Sequence, residues 1–552
     1  MGALFFCFFD MKKKIQPKFI FVVGGVLSGV GKGITTASLG AIMQAKGFSV
    51  TALKADPYIN VDAGTMNPIE HGEVFVLPDG DETDQDMGNY ERFLNIDLTS
   101  ENYMTTGRVY KTVIEAERAM KYKGKCVQVV PHIPEEIISR IRHAVQKNNA
   151  DIAIMEIGGT VGEYENILFL EAVRMLKLEA PDDVAVVLVS YLPVPSHLGE
   201  MKTKPTQHAS RALNSAGLQA DMIIARSREV MDKPRREKLA AFCGVRKDAV
   251  ISAPDVETIY HIPTIFEEQG VGNMLLETLG MKKKSTDLSF WKDFSHRVMH
   301  PKKTVKIAVV GKYFGTGNYT LADSYISVIE ALKHAAAFHM IKAELDWVDS
   351  EEFEKSPKAV ERLREYDGVI VPGGFGTRGI EGIINTIRYA REKKIPYFGL
   401  CYGMQLATVE FVRNVVGKKD AHTVEVNPKT TNPIIHINPN QAKNVSENRY
   451  GGTMRLGSYD CSLAKGSISR KAYGSDLISE RHRHRYEFNN EYRELIEAKG
   501  MRIAGINDAT NLVEIVEIKD HPFFVGVQFH PEFLSRPMRP HPLFVEFVNA
   551  CK

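Results

Sequence analysis

Cysteine is scarce in this chain of 552 residues: there are six, at positions 7, 126, 243, 401, 461 and 551, and no two form a C-x-x-C pair. Such wide spacing excludes a disulfide framework or a zinc knuckle and points to a reduced, cytoplasmic protein. An excess of one charge is also missing. The 70 Lys and Arg nearly balance 68 Asp and Glu, leaving a net charge of +2. That excludes a general nucleic-acid binder and confines any anion site to a local cluster. Long apolar runs are absent as well. The uncharged stretch 19–31 is too short to cross a bilayer and is rich in glycine, so no membrane segment is expected. The opening "MGALFFCFFDMKKK" puts its lysines after the apolar patch, the reverse of a secretory signal, and Phe6 breaks the myristoylation pattern after Gly2. Residues 1–16 are expected to be a disordered extension or a misassigned start, with Met11 the true first residue. No internal repeat and no low-complexity tract occurs.

What is present is ordinary globular material, 44% hydrophobic and 25% charged, in a length that calls for more than one domain. From Phe19 the chain alternates apolar strand-length runs ("FIFVVGG", "SVTALKA", "DIAIMEIGG", "DVAVVLVSYL", "ADMIIARS", "DAVISA") with helical ones ("GITTASLGAIMQAKG", "ENILFLEAVRMLKLE", "RREKLAAFCG"). Unbroken apolar strands between helices predict a mostly parallel sheet covered on both faces. The stretch around 281–304, "MKKKSTDLSFWKDFSHRVMHPKKT", is polar and without period and reads as a linker. A second α/β series then runs from "VKIAVVGKY" through "YDGVIVPGGFG" and "IPYFGLCYG", with β-like runs at its end. The fold class is therefore α/β, two doubly wound domains of mostly parallel sheet. The boundaries are 17–282 and 305–552, with 283–304 between them.

In the second half, "PYFGLCYGMQLA" holds Cys401 where a strand turns into a helix. A helix N-terminus favours the thiolate, and an ordinary thiol of pKa ~8.5 is only a few per cent ionised at neutral pH. In "GVQFHPEF", His530 and Glu532 are two apart and can share a face, so Glu532 can orient His530 and His530 can take the thiol proton. The glycines of "VPGGFGTRG" let backbone N–H groups approach an oxyanion. A lone buried cysteine is ordinarily a small apolar residue, but the three elements together, each after a strand, point to thiol chemistry.

In the first half, "FVVGGVLSGVGKGITT" sets glycines between a strand and a helix with Lys32 at the junction, the arrangement that cradles phosphate. It is not a strict Walker motif: Gly33 stands where Ser or Thr should follow the lysine, so magnesium must be held by other side chains. Asp84 and Asp86 in "DGDETDQDMGNYERF", and Glu156 at the end of an apolar strand, are candidates. Lys54 ends the next strand, and Lys202 and Lys204 sit at a helix start, where an anion would relieve their conflict with the dipole.

The run "PGGFG…GLCYGMQ…QFHPE" resembles the class I, triad-type glutamine amidotransferases, and "GGVLSGVGKG", "KADPYINVDAGTMNPIEHGEVFV", "EIGGTVGE", "KTKPTQH", "GGTMRLG" and "ERHRHRYE" make the chain from Phe19 onward resemble the CTP synthase family. The resemblance implies a P-loop-like amidoligase domain fused to a flavodoxin-like amidotransferase. It implies that ATP phosphorylates O4 of UTP and that ammonia freed from glutamine, and channelled between domains, displaces the phosphate to give CTP. Carried over, Cys401 is the nucleophile, His530 and Glu532 complete the triad, and Gly374 supplies part of the oxyanion hole. Tyr402, Gly403, Met404, Gln405, Glu425 and Arg485 hold glutamine. Lys32 and Lys54 act on the transferring phosphoryl group. Gly29, Val30, Gly31, Lys32, Gly33, Ile34, Asp86, Pro254, Asp255 and Val256 bind ATP, with Mg2+ on Asp86 and Glu156 and no organic prosthetic group. Ser28, Lys202, Thr203, Lys204, Pro205, Thr206, Gln207 and Lys238 bind UTP or CTP. Glu163, Tyr164 and Glu165 match the site for the base of inhibitory CTP, and His71 matches a gate of the ammonia tunnel. The family is further GTP-activated and homotetrameric, a dimer of dimers, and some members stack into filaments.

The chain departs from the family in a longer "GKYFGTGNYTLADSYISV", in Glu163 where Asp is commoner, and in residues 1–10. Arg481 and Arg483 of "ERHRHRYE" read as solvated charge. Two rival readings stand beside this one. A glutamine-dependent amidoligase acting on a carboxylate would share the deviant phosphate loop. A non-catalytic paralogue would be expected to lose Cys401, His530, Glu532, Asp86 or Glu156.

Overall fold

A computed structural model describes residues 16–66, 72–196, 199–312, 315–316, 319–320, 322–374, 376–437 and 454–552. They fall into two compact units. One comprises the chain up to Tyr58 with Val109–Asp255 and Ile262–Leu288; the other comprises Ile59–Arg108, Val256–His261 and Ser289–Lys552. His71, Phe375 and the first three residues of "GGTMRLG" lie outside the described residues, as do residues 1–15 and parts of the long 312–324 segment.

The first unit is built on β1 (Lys18–Gly24), α1 (Lys32–Ala45), β2 (Val50–Asp56), β3 (Ile152–Ile157), α2 (Ile167–Glu179), β4 (Val184–Tyr191), α3 (Lys204–Ser215), β5 (Met222–Ser227), α4 (Lys233–Cys243) and β6 (Val250–Pro254). Its strands pair in parallel in the order β2-β3-β1-β4-β5-β6. Ile20 to Val22, Ile152 to Ile154 and Val184 to Val189 are buried, as continuous apolar strands between helical layers must be. The reversal of strand order at β1, where β3 leaves on one side and β4 on the other, is the switch point at which open α/β sheets leave a crevice. The loop 25–31 opens there, at the carboxyl end of β1.

The longest segment of the second unit begins with α5 (Ser289–Met299). This corrects the reading of 283–304 as an aperiodic linker. Trp291 and Phe294 are buried, and Trp291 stacks on Phe93 with ring centroids 5.1 Å apart. Two aromatic anchors among charged residues suffice for one short helix but leave no measurable period. After it come β7 (Lys303–Gly311), α6 (Ile326–Phe338), β8 (Ile341–Asp349), β9 (Gly368–Val371), α7 (Ile380–Lys393), β10 (Tyr397–Leu400), α8 (Tyr402–Phe411), β11 (Arg455–Leu463), β12 (Leu477–His484), β13 (Met501–Asn507), β14 (Leu512–Ile518), β15 (Phe524–Val527) and α9 (Pro542–Ala550). They form a nine-stranded sheet in the order β8-β7-β9-β10-β15-β14-β13-β11-β12. The first five strands are parallel, and the remainder extend the sheet with antiparallel pairs. One register matters most: β10 and β15 pair with Leu400 opposite Val527, and the Cys401 N–H donates to the Val527 carbonyl at 2.7 Å. Cys401 and the residues just after Val527 therefore leave the sheet at the same edge.

Segment 72–98 packs into this unit through buried charge. Arg481, fully buried, donates to Glu91 at 2.9 and 3.1 Å, to Asp97 at 2.9 Å and to the Val76 carbonyl at 3.1 Å. Arg483 donates to Glu82 at 2.8 Å. Neither arginine is the solvated charge that the basic run suggested, because their acids lie some 400 residues away in sequence. A second buried arginine, Arg536, shares Glu91 and Asp97, and burial lowers its pKa to about 10.

Removing one partner of a buried ion pair strands the other. Arg481→Ala is expected to destabilise the second unit by about 3–5 kcal/mol. Trp291 and Trp347 are the chain's two tryptophans and both lie in this unit, so urea unfolding followed by fluorescence reports the loss directly.

Candidate active site

Cys401 sits between β10 and α8 with φ at 50°, a left-handed conformation that a residue with a side chain adopts only under constraint. Its glycine neighbours make the turn possible. A Cβ on Gly403 would stand 2.4 Å from the Val371 carbonyl oxygen, and one on Gly399 would stand 2.6 Å from the Tyr397 hydroxyl. The strained turn puts the thiol at the N-terminus of α8, in a cavity of about 840 Å³. That cavity is also lined by Gly373, Gly374, Tyr402, Gln405, Glu425, Arg485, His530 and Glu532.

His530 and Glu532 follow β15. His530 Nδ1 lies 2.7 Å from Glu532 Oε1, with both side chains buried. Burial alone would lower the imidazole pKa. The Glu532 carboxylate and the Cys401 sulfur outweigh it and raise the pKa to about 10. The proton therefore rests on His530, beside the Cys401 sulfur, where it is available to a substrate nitrogen. A Cβ on Gly373 would come 2.8 Å from His530 Cε1 and 3.8 Å from Cys401 Cβ, so this glycine lets the "PGGFG" backbone lie against both groups.

Two of the lining residues, Glu425 and Tyr402, are held by Gly376. Its N–H donates to Glu425 at 2.8 Å, and its carbonyl accepts from Lys312 Nζ at 2.7 Å and from the Tyr402 hydroxyl at 3.0 Å. Burial raises the Glu425 pKa and lowers that of Lys312 to about 8. Arg485 lines the same cavity. A carboxylate and a guanidinium across from a thiol suit a ligand carrying both an ammonium and a carboxylate. His482 and His484, two and four residues into the same basic run, are neutral instead. Burial pushes both pKa values well down, with Arg455 adding to the effect.

The sequence missed three residues here. Gln528 donates from Nε2 to the Cys401 sulfur at 3.6 Å. It lies two before His530 and one past the end of β15, so a strand alternation carried on from β15 could have found it, although Glu532 itself sits in the 3-10 turn Pro531–Leu534. Lys312, the second, gave no local signal. Glu73 is the third: it lines the cavity and accepts from the Ser327 N–H near the start of α6 at 3.2 Å.

In the first unit, Gly29 and Gly31 have φ of 70° and 94°, and Lys32 opens α1 with its ammonium 2.9 Å from the Gly159 carbonyl. Ser28 is exposed, Val30 and Gly33 are buried, and Ile34 is half-buried. Lys54 and Glu156, on neighbouring strands, form a buried ion pair at 3.1 Å, with Asp56 3.5 Å from the same ammonium. Thr203 caps α3, where Lys204 and Pro205 begin the helix. Gln207 donates to Thr203 at 3.1 Å, and Thr206 accepts from Ser190 at 2.9 Å. Lys202 pairs with Glu200 at 2.7 Å and Lys238 is exposed on α4. Glu163 accepts from the Thr160 N–H at 2.7 Å, and Tyr164 and Glu165 are exposed. Asp255 pairs with Arg226 at 3.0 Å, beside a half-buried Pro254. A further cavity of about 850 Å³, lined by Phe19, Phe48 and Leu176, lies at the amino ends of the strands and holds none of these residues. In the second unit, Asp86 opens the helix Asp86–Leu94 and its N–H donates to Asp84 at 2.8 Å, while Val256 is half-buried.

No group of three or more His, Cys, Asp and Glu among the described residues is arranged to hold a metal alone. Magnesium asks for less: one or two carboxylates, completed by phosphate oxygens and water. Asp86, in the second unit, and Glu156, in the first, are each a hard oxygen donor of that kind. No helix among the described residues is long and apolar enough to cross a membrane.

A strained thiol with a charged histidine–glutamate pair at the carboxyl edge of one α/β unit, and a glycine-rich strand-to-helix loop in the other, define a glutamine amidotransferase joined to a nucleotide-type α/β unit. Comparison with known proteins agrees. A family model described as the CTP synthase N-terminus matches residues 18–281, and one described as glutamine amidotransferase class-I matches 320–550. A CTP synthase of Carboxydothermus hydrogenoformans is 51% identical over 97% of this chain and 98% of its own length. One of Caldanaerobacter subterraneus subsp. tengcongensis is 49% identical over 97% and 98%. A solved structure titled Trypanosoma brucei CTPS, glutaminase domain with bound acivicin, is 40% identical over 45% of this chain and 93% of that one, with a TM-score of 0.41. The chain belongs to the CTP synthase family.

Burial raises the Glu73 pKa to about 7, aided by the Glu532 charge and opposed by Ser327 and Arg92. Between its ordinary 4.5 and about 7 the folded chain keeps a proton that the unfolded chain has lost. Stability of the second unit therefore falls as pH rises through that window, by about 3 kcal/mol in all. Glu73→Gln is expected to flatten this part of the profile, read from urea midpoints at pH values between about 5 and 8.

Proposed function

We propose that the chain converts UTP to CTP, using ATP for activation and glutamine for nitrogen. What carries the reading is the combination of family membership over nearly the whole chain with a Cys401–His530–Glu532 arrangement enclosed in one cavity. Cys401 attacks the side-chain carbonyl carbon of glutamine. His530 gives its proton to the departing nitrogen, the C–N bond breaks, and ammonia leaves behind a thioester. Glu532 holds the imidazolium through Nδ1, and the backbone around Gly373 and Gly374 faces the oxyanion. Water then cleaves the thioester to glutamate. Tyr402, Gly403, Met404 and Gln405 shape the glutamine pocket, with Glu425 and Arg485 for its charged ends.

In the ligase half, the γ-phosphoryl group passes from ATP to O4 of the uracil ring. Ammonia attacks C4 and phosphate departs, which makes a leaving group of an otherwise poor one. The 29–34 loop with Pro254, Asp255 and Val256 binds ATP, and Lys32 and Lys54 offset the charge on the transferring group. Magnesium, when bound to Asp86 and Glu156, supplies further neutralisation of phosphate charge. Ser28, residues 202–207 and Lys238 hold the pyrimidine nucleotide. Glu163, Tyr164 and Glu165 take the base of inhibitory CTP, and His71 gates the ammonia. GTP activation, a homotetramer of paired dimers and a cytoplasmic location belong to the same reading, supported by family membership alone.

The test is one assay with UTP, ATP and magnesium, supplied with either glutamine or ammonium. Cys401→Ala is expected to abolish the glutamine reaction and to keep the ammonium reaction within about twofold. Loss of both in a folded variant refutes the division of labour. Absence of saturable UTP binding favours a carboxylate-directed ligase.

A further inference from the structure

We infer that Gln528 is a further catalytic residue: its side-chain N–H is a second donor to the Cys401 sulfur, stabilising the thiolate before it attacks and again when it leaves the thioester. The inference rests on the reading of Cys401 as nucleophile and deepens it.

Three observations carry it. First, position follows from register. Leu400 pairs with Val527, so Cys401 and Gln528 are the next residues off two adjacent parallel strands, and the Gln528 main-chain N–H is itself fixed to the Glu514 carbonyl at 2.8 Å. Second, contact is direct. Gln528 is fully buried, and its Nε2 lies 3.6 Å from the sulfur.

Third, the orientation of the amide is determined by its partners. Gln405 Nε2 lies 3.0 Å from the Tyr486 carbonyl and 3.3 Å from Gln528 Oε1. A main-chain carbonyl only accepts, so the Gln405 end facing it is the NH2 group. The same NH2 group then faces Gln528, whose near atom must be the oxygen. Gln528 is left with its N–H directed at the sulfur. The relay runs from Tyr486 through Gln405 and Gln528 to Cys401, and reversing either amide would set two acceptors or two donors against each other.

The charged groups around the thiol explain why a neutral donor serves here. His530, held by Glu532, already supplies one full positive charge, while the Arg483 carbonyl, which accepts from the thiol at 3.9 Å, opposes the thiolate. A second cation beside the thiol would compete with His530 for Glu532 and hold back the imidazole proton. An amide dipole adds stabilisation of the anion without that competition. In the second half-reaction, a water oxygen bonds to the thioester carbon and one water proton passes to His530. The C–S bond breaks with its electron pair going to sulfur, and glutamate is released. Sulfur again carries the charge that Gln528 faces.

The test uses the full chain without substrates. Alkylation of Cys401 by iodoacetamide is followed by peptide mass spectrometry as a function of pH, with exposed Cys126 as internal reference. Gln528→Leu is expected to move the half-maximal point of the Cys401 profile up by about one pH unit, and so to slow its alkylation about tenfold at pH values well below that point. Gln528→Glu, which keeps the shape and removes the donor, is expected to move it further the same way, and it decides the matter if the leucine variant does not fold. A purely structural role would alter melting without moving the profile. An unshifted profile in a folded variant overturns the inference alone. Wild-type Cys401 alkylated no faster than Cys126 at pH 7 overturns the nucleophile reading, and the inference with it.

Discussion

The pairing of Tyr397–Leu400 with Phe524–Val527 is the constraint on which the second unit's chemistry depends. Two short parallel strands end together, and the chain turns away from each at once. One turn is strained to a positive φ and lifts a sulfur into the cavity; the other sets Gln528 against that sulfur and sends His530 and Glu532 along the cavity wall. A register shifted by one residue would turn these side chains to the opposite face. Buried apolar residues on both faces of the sheet, Phe524 and Val525 among them, make such a slip costly.

Charge is buried around that edge to an unusual degree, and each charge is answered. Arg481 and Arg536 share Glu91, and Arg455 is met by Glu514 at 2.6 Å. Buried pairs of this kind do little for net stability, but they penalise any arrangement that leaves one partner alone. The pairs made by Arg481, Arg483 and Arg536 hold segment 72–98 against the amidotransferase sheet in a single alignment, and with it Glu73 in the wall of the cavity.

The histidines show how environment, rather than residue type, sets function. His482 and His484 share a hydrogen bond at 2.9 Å and lie near Arg455, so burial leaves them neutral. His530 is equally buried but has Glu532 on one side and the thiol on the other, so it holds its proton far above the usual range. Only the last can deliver a proton to a leaving nitrogen at neutral pH.

Local pattern by itself determined much of this protein. Alternating apolar runs and helices specified two α/β units. Glycines flanking Cys401 marked the strained turn, and the period-two spacing of His530 and Glu532 gave the base and its orienting acid. These features are legible because strand period, turn chemistry and helix starts act over a few residues. Tertiary structure decided the rest. It made a helix of 289–299 by giving Trp291 an aromatic partner from elsewhere in the chain. It turned Arg481 and Arg483 from apparent surface charge into buried ion pairs, and it brought Glu73 to the thiol's cavity, Lys312 to the Gly376 carbonyl and Gln528 to the sulfur. Each of those outcomes depends on a partner tens to hundreds of residues away, and the energy of burying or ionising a side chain is set by that partner, which no local pattern contains.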